Sequence, residues 1–238
     1  MNETLKTIHS LRSIHLGFSS QEIKDEDLKL ILDSCIRAAN AGNRQCYSIV
    51  VVEDRAVIKE ICKIDGRKAL LFCVDYTRLS DMAEHLEHQY SVDDDVWLSL
   101  FLSGSTDAIL AAQTAAIAAK SLGIDSLFTS RIQAAYISRV YELLDLPEKF
   151  CFPLIMLLLG YPKEEPGYKK GRVSGPGIVH YGKYHRATSD ELETLALQYD
   201  DPEKQMAVNP AWKDKSFKDW HYAGLENKIQ KVALKNKN

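Results

Sequence analysis

The sequence predicts an α/β or α+β domain built on one sheet. Three observations lead there. Leu28, Ile31, Leu32, Cys35, Ile36 and Ala39 recur at helical spacing. The runs "YSIVVVE", "KALLFCVDY" and "FPLIMLLLGY" are β-branched or otherwise apolar and bounded by turn residues, as strands are. Between the last two, an alanine-rich stretch from Val96 to Leu122 favours helix throughout. With 238 residues, 45% hydrophobic and 26% charged, the chain can bury a sizeable core.

Asp25, Glu26 and Asp27 crowd the start of the first amphipathic helix, where its dipole favours negative charge. Ala38 and Ala39 are read as its close, and the polar connector "NAGNRQ" leads on to the first strand. Turn chemistry accounts for Asn40 and Gly42. The strands Lys68 to Tyr76 and Phe152 to Tyr161 are apolar enough to be buried on both faces. The small residues of the long helix allow close approach from several sides. That places it at the centre of the domain or at a subunit interface, or simply in its own core. "SGSTD" around Gly104 reads as its cap, with Ser103, Ser105 or Thr106 bonding free N–H groups. "SRIQAAYISRVYELLDLPEKF" adds a helix with Ile137, Val140, Leu143 and Leu144 on one side. Beyond Tyr161 the chain turns rich in Pro, Gly and base, then offers short helices joined by polar loops: a tail with little core of its own, expected to wrap over the domain or a partner.

A net charge of −3 gives no global pull towards nucleic acid or anionic membrane, and neither is expected as a partner. Cys35, Cys46, Cys62, Cys73 and Cys151 are scattered, odd in number and without a CxxC pair, which reads as reduced, buried thiols. The N-terminus has no apolar signal core, and "FPLIMLLLGY" is too short to span a bilayer, so a cytoplasmic protein is expected. His85 and His88 in "EHLEH" share a helical face without forming HExxH, and a solvated face is expected rather than a metal site. Dinucleotide-binding, P-loop and nucleophile-elbow motifs are missing as well.

Four polar segments remain. "SLRSIHLGF" places Arg12, Ser13 and His15 near the N-terminus; "NAGNRQ" carries Asn40, Asn43 and Gln45; "SLFTSRI" carries Phe128, Thr129, Ser130 and Arg131; "GYKKGR" carries Lys170 and Arg172. Singly they are a surface arginine, a turn, a strand with a cap, and a solvated basic loop. In this order, together with "DAILAAQTAAIAAKSLGI", "FPLIMLLLGYPKEEP" and "IVHYGKY", they resemble the nitroreductase superfamily of FMN-dependent, NAD(P)H-using reductases. The resemblance runs from about Ile8 to about Tyr184. "RQC" and the long tail are most similar to the NADPH nitroreductase and flavin reductase group.

The resemblance implies an α+β sandwich with a central, mostly antiparallel sheet flanked by helices. It implies one domain over residues 1–238, with an FMN-binding core over about 1–186 and a helical, wrapping extension over about 187–238. It also implies a homodimer with FMN at the subunit interface. Arg12, Ser13, Lys170 and Arg172 would then face the phosphate dianion, which favours charge-assisted bonds. Asn43 and Gln45 would meet the ring edge, where amides can pair with both donors and acceptors. Asn40 takes a place where a small serine is common, and Phe128 to Arg131 match the loop along the flavin.

The implied reaction is a ping-pong cycle in which NADPH or NADH delivers a hydride and a nitroaromatic, quinone or flavin then accepts two electrons. The cofactor carries the chemistry, and no residue of the chain is a catalytic acid or base. Several positions depart from the family pattern. His15 stands where arginine is usual, Leu11 replaces a polar or basic neighbour, and Ser130 with Arg131 replaces a glycine-rich pair. Arg67 or Lys68 is left to stand in for a ring-contacting Gln or Lys. "YDDPEKQMAVNPAWKDKSF" shows no arginine loop for the extra phosphate of NADPH, which leaves NADPH against NADH open. These departures motivate an alternative: a flavin-binding member with weak or specialised turnover, acting as carrier, sensor or partner protein.

Overall fold

The computed structural model describes residues 1–88, 94–133, 137–165, 171–175 and 177–200. In chain order its elements are α1 (Glu3–Ser10), α2 (Asp25–Cys35), β1 (Tyr47–Val52), α3 (Arg55–Cys62), β2 (Lys68–Asp75), α4 (Thr77–His85), α5 (Asp94–Ser121), β3 (Asp125–Thr129), α6 (Ile137–Leu144), β4 (Cys151–Gly160) and α7 (Ser189–Asp200). The strands form one sheet in the order β1-β2-β4-β3. Every neighbouring pair is antiparallel, as expected: Tyr47 faces Val74, Asp75 faces Cys151, and Thr129 faces Met156.

β2 and β4 are central, which explains why they read as unbroken apolar runs. Successive side chains on a strand point to opposite faces, so Leu70 and Phe72 join α2 and α5 on one face, with Leu157 and Leu159 beside them. Ala69, Leu71 and Cys73 join Ile58, Ile61 and Val140 of α3 and α6 on the other. α5 is apolar and long enough to cross a bilayer by length and composition. Its stripe of Ala108, Ala111, Ala112, Ala115, Ala116 and Ala119 instead packs on the sheet as a core helix. The small side chains bring its backbone close to the strands.

Two expected boundaries move. α2 ends at Cys35 rather than Ala39, because Arg37 N–H bonds the Ser34 carbonyl and Ala38 N–H the Cys35 carbonyl, tightening the chain into turns of the 3-10 type. "SGSTD" lies inside α5 and caps nothing: Thr106 Oγ1 donates to the Leu102 carbonyl one turn back. Gly104 is there for contact. A Cβ at that position would stand 2.7 Å from Val74 Cγ1 and 3.0 Å from the Cys46 carbonyl oxygen.

The chain divides into two compact units, Met1–Pro166 and Gly167–Asn238. In the second unit α7 opens with a capping box: Glu191 N–H donates to Thr188 Oγ1 and Thr188 N–H to Glu191 Oε2. Gln198 bonds both the backbone and the hydroxyl of Ser174. The further helices expected after Asp200 fall outside the described residues.

Candidate functional site

The connector between α2 and β1 is a constrained loop. Gly42, Asn43 and Gln45 have φ of 59°, 56° and 54°. Glycine and, less readily, asparagine accept this left-handed region, whereas glutamine adopts it only when held. Asp107 of α5, 1% exposed, supplies one restraint. Its carboxylate accepts from Ala41 N–H at 2.8 Å and from Cys46 N–H at 3.3 Å. Asn40 Oδ1 accepts from Gln45 N–H at 3.4 Å. From the other side, Arg78 Nη2, in the first turn of α4, donates to the carbonyls of Arg44 and Gln45.

With the backbone so engaged, the side chains of Asn43 and Gln45 turn outward and meet each other, Gln45 Nε2 donating to Asn43 Oδ1 at 3.3 Å. That bond orients both amides. It leaves Asn43 Nδ2–H as a donor and Gln45 Oε1 as an acceptor, side by side.

The N-terminal candidates sit on β3, at the opposite edge of the sheet. Ser13 bridges Ser126 in parallel, and Ile14 N–H bonds the Ser126 carbonyl at 3.1 Å. Arg12 grips the buried Asp125 with Nε at 3.2 Å and Nη2 at 2.7 Å, and Nη2 also meets Glu165 at 2.9 Å. Lys120 Nζ holds the other oxygen of Asp125 at 2.6 Å. Burial alone would raise the Asp125 carboxyl, but the bonds from Arg12 and Lys120 outweigh it and hold the group below its usual value. Asp125 in turn raises Arg12. Among the described residues, these contacts use Nε and Nη2 of Arg12 and not Nη1.

At the end of β3, Thr129 Oγ1 accepts from Arg131 N–H at 3.3 Å, and Ile132, 1% exposed, pins the turn. Phe128 packs towards the α5 face of the sheet, while Ser130 and Arg131 are exposed. Arg131 makes no side-chain ion pair among the described residues. β3 thus gathers Arg12, Ser13 and Phe128 to Arg131 along one edge, with His15 exposed on the same N-terminal segment.

The amide loop stands elsewhere. β2 and β4 lie between β1 and β3, and three interstrand gaps amount to about 14 Å. Along α5, the rise from Asp107 to Lys120 is about 20 Å. The structure therefore brings the candidates of one chain into two clusters rather than one. Arg172 belongs to the second unit, where its Nη1 donates to the Gly171 carbonyl at 2.9 Å. Lys170 lies outside the described residues. So does the stretch beyond Asp200, whose sequence shows no arginine loop.

Arg67 and Lys68 lie at the end of β2 away from the amide loop, level across β4 with Ser126 of the Arg12 edge, and their side chains are already engaged. Arg67 bonds the Ser19 carbonyl and Glu22, Lys68 pairs with Glu53 and Asp25, and Lys68 faces Leu159 at the other end of β2. The sequence reading missed Asp107, Arg78, Asp125 and Lys120 as organisers of these clusters. A single carboxylate within an alanine stripe was the available signal for Asp107. Among the described residues no group of three or more His, Cys, Asp or Glu is placed to hold a metal ion. All five cysteines are free and buried, and burial pushes Cys35 and Cys62 up to about 12.

No family model matches the chain. It is 28% identical over 228 residues to a protein of Bacillus subtilis strain 168 named FMN reductase [NAD(P)H], across 92% of this chain and 88% of that one. The solved structure of B. megaterium NfrA2 matches with a TM-score of 0.80 at 27% identity, covering 100% of this chain and 92% of that one. That of nitroreductase A from Vibrio parahaemolyticus matches with a TM-score of 0.76 at 26% identity, covering 95% and 91%. These likenesses extend over nearly the whole chain, which has the fold of the solved nitroreductases and is similar in sequence to FMN reductases.

Proposed function

We propose that the protein is an FMN-dependent oxidoreductase that draws electrons from NADPH or NADH and passes them in pairs to nitroaromatics, quinones or flavins. The observation that carries this reading is the outward-facing amide pair. Asn43 Nδ2–H and Gln45 Oε1 offer adjacent donor and acceptor groups, the complement of the carbonyl and N–H at the edge of a flavin ring. Arg12 Nη1 and Ser13 are the groups the first unit offers to the phosphate; Lys170 and Arg172 are added from the sequence alone. Bound FMN would supply the two-electron chemistry, so the chain needs no acid or base of its own. The chain's part is to hold the ring edge, balance the phosphate charge and leave space over the ring at Phe128 to Arg131.

The functional unit in this reading is a homodimer. Leu98, Leu102, Ile109 and Leu110 are exposed on the side of α5 away from the sheet, and large apolar side chains in a row suit a protein contact. A second copy covering them would set the amide loop of one protomer against the Arg12 edge of its partner, answering the separation of the two clusters within one chain. Free, buried thiols suit a reducing cytoplasm.

The test is anaerobic. Purified protein should be yellow, bleach rapidly with NADH or NADPH added separately, and recolour with a quinone or nitro compound; protein that stays colourless with added FMN overturns the reading. The second reading, a flavin carrier or sensor with slow turnover, is favoured by the two carboxylates already on Arg12. It expects yellow protein that bleaches slowly with both nucleotides.

A further inference from the structure

The amide loop is gripped in an unusual way for a connector. Three of the four residues from Gly42 to Gln45 are left-handed. The restraints come from two distant elements, α5 through Asp107 and α4 through Arg78. Both bind backbone groups only. Asp107 takes one N–H with each oxygen, at the first and last positions of the loop, and Arg78 takes two successive carbonyls between them. Gly104, one turn before Asp107, removes the Cβ that would otherwise stand 3.0 Å from the Cys46 carbonyl and hold the helix off. Tyr76 Oη donates to the Leu100 carbonyl at 2.7 Å, and Tyr76 and Phe150 pack edge-on against Trp97. These contacts fix the part of α5 from which Asp107 reaches the loop.

We propose that Asp107 and Arg78 are positioning residues for ring recognition: they clamp the backbone of residues 41–46 so that Asn43 and Gln45 present their donor and acceptor together. The inference rests on the flavin reading above and deepens it. Neither clamp residue touches the ligand in this account. Each acts only through the two amides, and this separates the role from a general contribution to folding.

A double-mutant cycle read by quenching of FMN fluorescence tests the proposal. Asp107→Asn keeps the shape but replaces one of the two accepting oxygens with an NH2 donor set against a backbone N–H, and Arg78→Gln removes the forked contact. Each should weaken FMN binding about tenfold, the scale of a lost charge-assisted hydrogen bond. Arg78→Lys, which can still reach one carbonyl, should restore part of the loss. In an Asn43→Ala, Gln45→Ala background the same clamp substitutions should change FMN binding less than about twofold, since nothing is left to position. Full additivity would overturn the proposal.

A second measurement needs no flavin. Amide hydrogen exchange at Ala41 and Cys46 should accelerate in Asp107→Asn, and unchanged protection would overturn the clamp. Should Asp107→Asn fail to fold, exposed Arg78 carries the same cycle. Wild-type protein that takes up no FMN sinks the flavin reading and this positioning role with it. Wild-type protein that binds FMN, with losses that simply add, sinks the clamp alone.

Discussion

The two edges of the sheet treat their polar residues in opposite ways. At the β1 edge a charged side chain of α5, Asp107, binds backbone, and the amides of Asn43 and Gln45 face out. At the β3 edge a charged side chain of the same helix, Lys120, joins Arg12 on Asp125, and the candidate ligand-binding group is itself part of the anchor. A loop whose backbone is tied leaves its side chains for recognition. An arginine tied by its side chain must share its protons between structure and ligand. In the proposed function the amide loop is therefore prepared for a ring edge, while Arg12 has Nη1 to offer and little freedom to move.

The largest way to break this contrast is Asp125→Ala. Two partly buried cations would lose their common partner, and removal of one member of such a group costs about 3 kcal/mol. Urea unfolding should show that loss, while amide exchange at Ala41 and Cys46 in the folded protein stays as in wild type. A disturbed amide loop would mean that the two edges are not independent. Gly104→Ala strikes the other edge. Its Cβ would lie 2.7 Å from Val74 Cγ1, so either the helix or the loop must shift. Overpacking of this kind costs about 1–3 kcal/mol. The melting temperature should fall together with FMN affinity, whereas a fall in stability with unchanged FMN affinity would uncouple α5 from the site.

These contrasts also show what could be read from the residues alone. β2 and β4 were legible because burial on both faces leaves a continuous apolar run, and the alanine stripe of α5 because its period is helical. The end of α2 was misplaced because Ile36 and Ala39 continue the apolar spacing, although both are exposed. "SGSTD" carries the residue types of an N-cap, but the apolar run from Val96 to Phe101 before it already belongs to the helix. Asn43 and Gln45 could be nominated from the segment they occupy. Their supports could not, since Asp107 and Arg78 meet the loop only after the chain has returned to it. For the same reason the sequence offered Arg12 as a phosphate ligand without showing Asp125 beside it. Contacts between distant segments leave no local pattern.

Arg12→Ala sharpens the same comparison at smaller scale. If Nη1 serves the phosphate, FMN retention on gel filtration should weaken about tenfold, the scale of one charge-assisted bond. Asp125 would also lose a partner, so Asp125→Asn is the control: it should lower stability but leave FMN retention equal to wild type or better, because the guanidinium is released. Unchanged retention in Arg12→Ala removes that residue from the phosphate site.

The smallest effect is a dependence on pH at one edge only. Asp125 is held below its usual 3.8 because the bonds from Arg12 and Lys120 exceed the penalty of burial. A carboxyl with a lower pKa in the folded state binds fewer protons there than in the unfolded chain, so stability falls as pH falls. The contribution is complete above the unfolded value and is lost as pH drops through the lower, folded one. Asp125→Asn should flatten the acid limb of the urea midpoint against pH, with the difference from wild type closing at the acid end. The amide edge offers a control, because Asn43→Ala and Gln45→Ala remove no titrating group and should leave that limb as steep as in wild type. An acid limb equally steep in Asp125→Asn would mean that other carboxylates govern it and that the Asp125 anchor is weaker than its geometry implies.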